Sequence, residues 1–294
     1  MLRGGVGLGV VTSITLRLRK VSSLNLEGGD KVVQYTALFP RDAFEFAARL
    51  YTSMLPVKDT RLTLGCLVMI APPPMGPLAG KPVFMIDALF IGSKSEGDKA
   101  LRPLLSDDSK AKALTVTAQP VLLAKMNEKG DGRFKRGVYL DTFSSFMENV
   151  SGETINLATS HWLEFGDKVG SSLSGKTVLN LASVSTEGPR KADPQGETGL
   201  SHRSRSFLAR TFVIGLELDE VNRVGIFAEQ IKEIMRRDDR AKGIVDGAFA
   251  SNIKAGTDMK EVYVPGKLRA LEELKRHYDP DGMFWNPAVN GWGP

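Results

Sequence analysis

The sequence predicts an α+β fold in which an antiparallel β-sheet carries helices on one face. Three observations lead there. Strand-like and helix-like stretches follow one another without the regular alternation of a parallel sheet. Two of the strand-like stretches are parted only by a turn-rich connection, and the helical stretches carry apolar residues at helical spacing on one side. With 294 residues, of which 42% are hydrophobic and 25% charged, the chain is long enough to bury a sizeable core without metals or disulfides.

Each element has a local reason. VVQYTALF, from Val32, is rich in β-branched and aromatic residues and reads as a strand. Pro40, Arg41 and Asp42 then start AFEFAARLYTSML, whose apolar residues recur at helical spacing. LTLGCLVMIA and PVFMIDALFIG are strands separated by PPPMGPLAGKP, and SEGDKALRPLL is a helix opening on Ser95 and Glu96. VYLDTF and KTVLNLASV are strands on either side of the helical INLATSHWLEFGDKV. FLARTFVIGLEL is a strand, followed by the amphipathic helix VGIFAEQIKEIMRRD. LRALEELKRHY forms the last helix, stopped by Asp279, Pro280, Asp281 and Gly282. STEGPRKADPQGETGLSH is a polar surface loop.

Charge excludes some function classes. The net charge is +5, but lysines and arginines are interleaved with acids, as in KEIMRRDDRAK, so the reading is a solvated surface and no nucleic-acid partner. No stretch approaches the roughly 20 apolar residues needed for a membrane span. Cys66 sits alone in an apolar run, and His161, His202 and His277 show no ligand spacing with it, so no metal site is expected. The first 20 residues could pass for a targeting segment, yet four glycines among the first nine oppose a helix. VVTSITLRL alternates like a strand instead.

Gly4, Gly5, Gly7 and Gly9 form a run that a cofactor could approach closely, since glycine has no Cβ. A dinucleotide-binding loop would need a strand before them and a helix after, and neither is present. In order along the chain, RGGVGLGVVTSITLRL, ALFIGSKSEGDKALRPLL, GLSHRSRSFLARTFVI and LRALEELKRHYDPDGMFWNPAV resemble segments of berberine-bridge-type FAD-linked oxidases. The first is similar to the last glycine-rich turn and strand of the flavin domain, shorter by a residue and with Leu8 for the usual aromatic. The second resembles a strand leading into an "EADKAL-PLL"-like helix. The third keeps the His202 and Arg203 of an "FPHR" segment. The last keeps Leu268, Leu271, Lys275, Tyr278, Asp279, Pro280, Phe284 and Asn286 of a terminal "RL..LK.KYDP" signature.

The resemblance implies FAD as cofactor and a small-molecule substrate that gives hydride to the flavin, with molecular oxygen as acceptor and a place in specialised metabolism. It implies FAD contacts at Gly4, Gly5, Gly7, Gly9, Val10 and Asn286. Substrate contacts fall on His202 and Asn252, and the proton-handling position on Arg210 or Thr211, of which one alone can face the substrate because strand side chains alternate. The sequence departs from the family at two points: neither Arg210 nor Thr211 is a carboxylate or amide, and GAFASNI lacks the tyrosines of a "Y-N-Y"-like strand. The resemblance also implies that most FAD contacts of the family lie ahead of the glycine run. The expected organisation is therefore residues 1–22 as the end of a flavin domain, 23–255 as a substrate domain and 256–294 as a tail packing back on the first part. The FAD site is then incomplete and an apolar face is left to associate with something else. The alternative is a non-catalytic remnant or binding protein that keeps only the substrate domain. Localisation stays open.

Overall fold

The computed structural model describes residues 9–10, 12–16, 18, 20–126, 128, 137–196, 202–215, 217–254 and 256–284. Seven strands make one antiparallel sheet: β1 (Lys31–Pro40), β2 (Leu62–Ile70), β3 (Pro82–Phe90), β4 (Thr115–Leu122), β5 (Tyr139–Met147), β6 (Thr177–Val184) and β7 (Phe207–Gly215). Their spatial order is β4-β1-β3-β2-β6-β7-β5, and every neighbouring pair is antiparallel. The main helices are α1 (Phe44–Ser53), α2 (Lys94–Ala100), α3 (Asp107–Lys112), α4 (Gly152–Val169), α5 (Leu218–Met235) and α6 (Pro265–Tyr278).

Alternation sorts each strand between two faces. On one face, Tyr35, Phe39, Leu64, Cys66, Phe84, Ile86, Phe90, Leu179 and Leu181 are almost completely buried. They share a core with Phe44 and Tyr51 of α1, Leu101 after α2, Ile155 and Trp162 of α4, and Phe227 and Ile231 of α5. Burying each such side chain contributes about 1.5–3 kcal/mol. The largest carries a polar atom, and it is satisfied: Trp162 Nε1 donates to Thr177 Oγ1 at 2.8 Å, and that hydroxyl donates to the Ser174 carbonyl at 2.8 Å.

The opposite face carries Gln34, Thr36, Leu67, Met69, Met85, Asp87, Leu89, Asn180, Leu208, Arg210, Phe212 and Ile214, all half-buried. Neighbouring strands shield their flanks, but α1, α2, α4 and α5 pack on the other side. Among the described residues this open face is fully buried at Val32 and Val83, and Leu38, Ser144 and Phe146 are also buried. The helices thus lie on one face, as the sequence predicts.

Several expectations are corrected. VVTSITLRL is not a strand where described: residues 12–16 take no regular structure, and Val10, Ile14 and Leu16 are 73–75% exposed. A strand needs a hydrogen-bonding neighbour, and no described strand lies beside this segment. The first residues of α2 are set by Ser93, not Ser95, because Ser93 and Glu96 form a reciprocal capping box. The helix also ends at Ala100, before Arg102 and Pro103. The loop from Ser185 to His202 contains a short helix, Glu187–Ala192. The strand from Phe207 ends at Gly215, where α5 has begun by Leu218.

Beyond α5, the chain is pinned to the end of β5 by a buried charge cluster. Arg236 donates to Ser145 Oγ at 3.0 Å, Asp246 at 3.0 Å and Glu261 at 2.6 Å. Arg205 donates to the carbonyls of Phe146 and Val245. Asp239 accepts from the amides of Glu148 and Asn149 at 3.0 and 2.9 Å. Unpaired, such groups would be costly to bury; paired in this way they fix the course of the segment. α6 then packs Leu268 and Leu271 on Ala248, Met259, Val262 and Tyr263 in a cluster of its own, drawn from both sides of residue 255.

Candidate functional site

The open face has one row of side chains at its centre, fixed by register: Leu38, Met85, Leu67, Asn180, Arg210 and Ser144 stand side by side on β1, β3, β2, β6, β7 and β5. Arg210 is held from one side. Its Nε and Nη2 donate to Asn180 Oδ1 at 3.1 and 2.6 Å, and Asn180 Nδ2 donates to the Cys66 carbonyl on β2 at 3.4 Å. The guanidinium carbon lies 5.2 Å from the centroid of the Phe212 ring. Burial pushes the Arg210 guanidinium down from its ordinary value, and among the described residues no acidic neighbour opposes that shift.

Thr211 is placed differently. It is 1% exposed and stands between Phe143 and Leu179 on the helix-covered face. Alternation along β7 that brings Arg210 to the open face necessarily turns Thr211 away from it.

Asn252 belongs to a single turn, Ala250–Asn252, laid against β5. Its carbonyl accepts from Ser144 Oγ at 3.2 Å, and Ser144 is the cross-strand neighbour of Arg210. The structure therefore brings Asn252 to the margin of the Arg210 row. A cavity of about 380 Å³ opens there, lined among others by Thr142, Ser144, Arg236, Asn252, Lys254 and Glu261. His202 lies apart, in the turn that leads into β7. It has a left-handed φ of 52°, and its ring Nε2 is buried without a hydrogen-bond partner. Burial, and then the neighbouring Arg205, hold its pKa below the usual histidine value.

Of the FAD contacts implied by the resemblance, Gly4, Gly5, Gly7 and Asn286 lie outside the described residues. Gly9 and Val10 are described, and neither contributes to a cradle: nothing approaches within 4 Å of the Cβ position at Gly9, and Val10 is 75% exposed.

Two polar groups on the open face escape the motifs. Asn180 interrupts the apolar run of KTVLNLASV. Asp87 interrupts PVFMIDALF, and its Oδ1 accepts from Gln34 Nε2 and Thr36 Oγ1, each at 3.0 Å. A polar side chain in the middle of an apolar strand is the signal that could have found both.

No family model matches the chain, and no curated protein matches it. Solved structures match it in fold. BBE-like 1 from Physcomitrella patens superposes with a TM-score of 0.64 at 11% identity, over 90% of this chain and 54% of that one. A VAO-type flavoprotein from Myceliophthora thermophila C1 gives 0.64 at 16% identity, over 90% and 48%. Chitooligosaccharide oxidase gives 0.62 at 15% identity, over 88% and 55%. The chain thus spans about half the length of the structures it matches, and its architecture is a partial BBE-like fold. Among the described residues no helix is long and apolar enough to cross a membrane.

Proposed function

We propose that this chain is the substrate-side part of a flavin-dependent oxidoreductase acting on a small organic molecule, with the open sheet face turned toward the flavin and its substrate. The observation that carries the reading is the open face itself: a broad sheet surface left bare by every main helix packed on the sheet, with an oriented cation at its centre. Proteins built on the same fold include flavoproteins and oxidases by name, which agrees with this use of the face.

The described residues suit one part of FAD and not the rest. Leu67 and Met85 make an apolar strip on which a planar ring could lie, whereas no described segment cradles a diphosphate. When bound, the flavin would supply the hydride acceptor. The chain's own residues would do the remainder. Arg210 keeps its proton at neutral pH, so it orients substrate and balances negative charge and does not abstract a proton. Asp87 is the carboxylate that the sheet presents on this face among the described residues, but it stands three strands from Arg210 and accepts from Gln34 and Thr36, so it is not assigned to a small substrate held by Arg210. Asn252 borders the site as a substrate contact, and His202, which lies apart from the Arg210 row, is a proposed contact on the resemblance alone. Thr211, facing the core, takes no part. Gly4, Gly5, Gly7, Gly9, Val10 and Asn286 remain the proposed cofactor contacts, molecular oxygen the proposed acceptor and specialised metabolism the proposed setting, with the domain limits set out above.

A second reading, a binding protein that keeps the sheet domain without flavin chemistry, is favoured by the exposed and uncradled Gly9 and Val10. An absorbance spectrum of the purified chain, before and after incubation with FAD and desalting, separates the two. A retained flavin band is expected from the first reading. A folded, colourless chain supports the second, or assigns the flavin chemistry to a longer product alone.

A further inference from the structure

Arg210 differs from the other well-buried arginines in what it lacks. Arg203 lies 3.2 Å from Asp193, Arg205 3.8 Å from Asp239, and Arg236 3.0 Å from Asp246 and 2.6 Å from Glu261. Arg210 has no carboxylate partner among the described residues. Among the described residues its sole hydrogen-bond partner is the neutral Asn180, which takes Nε and Nη2 on a single oxygen. Asp87, on the same face, stands roughly 16 Å away, three inter-strand steps of about 4.8 Å and two residues along the strand.

A desolvated cation costs free energy unless an anion accompanies it. Here a neutral amide fixes the orientation of the fork and leaves its charge uncompensated, an arrangement suited to a ligand that brings the anion. The surroundings narrow the ligand further. Leu208 and Phe212 flank Arg210 on the same strand, Leu67 lies beyond Asn180 in the same row, and the Ser144 position adjoins Arg210 on β5.

We infer that the open face binds an organic carboxylate, its carboxyl group on the Arg210 guanidinium and its apolar body over Phe212, Leu208 and Leu67. The inference rests on the open face being the ligand-bearing face, and it names the substrate class for that site. Asn180 is a positioning residue that sets the plane of the fork.

The test uses sodium benzoate as probe and benzamide as its uncharged counterpart, titrated against the full chain without FAD and followed by saturation-transfer NMR. Benzoate binding is expected, at least tenfold weaker in Arg210→Gln, intermediate in Arg210→Lys, and unchanged in Arg49→Gln, an exposed arginine on α1. Benzamide binding should not depend on residue 210. Unaltered benzoate affinity in an Arg210→Gln protein with a native circular dichroism spectrum overturns the proposal, as does absence of benzoate binding to wild type. Where Arg210→Gln does not fold, the guanidinium resonances of Arg210 in wild-type protein decide, since they must shift with benzoate and not with benzamide. A chain that keeps no FAD yet binds benzoate through Arg210 removes flavin binding by this chain alone and retains the anion site. A chain that keeps FAD without Arg210-dependent benzoate binding does the reverse.

Discussion

Gly97 has no room for a methyl group. A Cβ there would fall on the Tyr35 hydroxyl and within 3.2 Å of the Phe90 ring, and Tyr35 cannot swing away because its hydroxyl donates to Asp98 at 2.9 Å. Overpacking of this kind costs about 1–3 kcal/mol, and here it exceeds the helix-propensity gain of about 1 kcal/mol. Gly97→Ala should therefore lower the urea midpoint. Gly188→Ala, in a helix where nothing lies within 4 Å, should leave it the same or raise it. Residue-level chemistry of the site was partly legible in the same way. Arg210 is marked by its place after the HR segment, and alternation says that Arg210 and Thr211 face opposite ways. Which of them meets the open face depends on where the helices pack, and that is a property of the sheet. Asn180 is 30 residues from Arg210 and becomes its partner only through cross-strand register, which a linear pattern does not carry.

At the level of elements, the N-terminus of α2 shows how a few polar groups fix a boundary. Ser93 and Glu96 satisfy each other's backbone amides, and Arg61 Nη1 donates to Glu96 Oε1 at 2.8 Å. Chiefly the Arg61 hydrogen bond, then those from Ser93, hold the Glu96 carboxyl down to about 2 from its usual 4.5. A depressed carboxylate contributes stability that is complete above its unfolded value and is lost as pH falls through its folded value. The Tm gap between wild type and Glu96→Gln should then be constant above pH 4.5 and close as pH falls toward 2. A gap that does not change over this range removes the cap's electrostatic role. Elements with a strong apolar period, β1 to β3, α1, α4, β6 and β7, were legible because their burial is what creates the period. β4 was not, since TVTAQPVL is a half-exposed edge strand interrupted by Pro120 and has no buried face to leave a pattern. The segment 12–16 failed in the opposite sense, having the strand pattern and no neighbour to realise it.

For the whole molecule, the open face is a broad surface with Leu67, Met85, Leu89, Leu208, Phe212 and Ile214 only half-buried. Contiguous apolar surface of this kind binds hydrophobic dyes and partners. The native chain should enhance the fluorescence of anilinonaphthalene sulfonate while its near-ultraviolet circular dichroism stays folded; a dark dye with a monomeric light-scattering mass would mean the face is covered by the chain itself. The strand order also has a kinetic side. Residues 31–122 supply β4-β1-β3-β2 and residues 139–215 supply β6-β7-β5, so the sheet is two half-sheets sewn together at β2 and β6. That seam joins residues far apart in the chain, such as Cys66 and Asn180 at 114 positions, and must form late, because loop closure over such a span precedes any reward from contacts. Until it forms, a newly made chain carries two raw apolar strand edges exposed to other copies of itself. Asn180 is a stitch in that seam, so the fork of Arg210 acquires its orientation in the same event that protects the chain from aggregation.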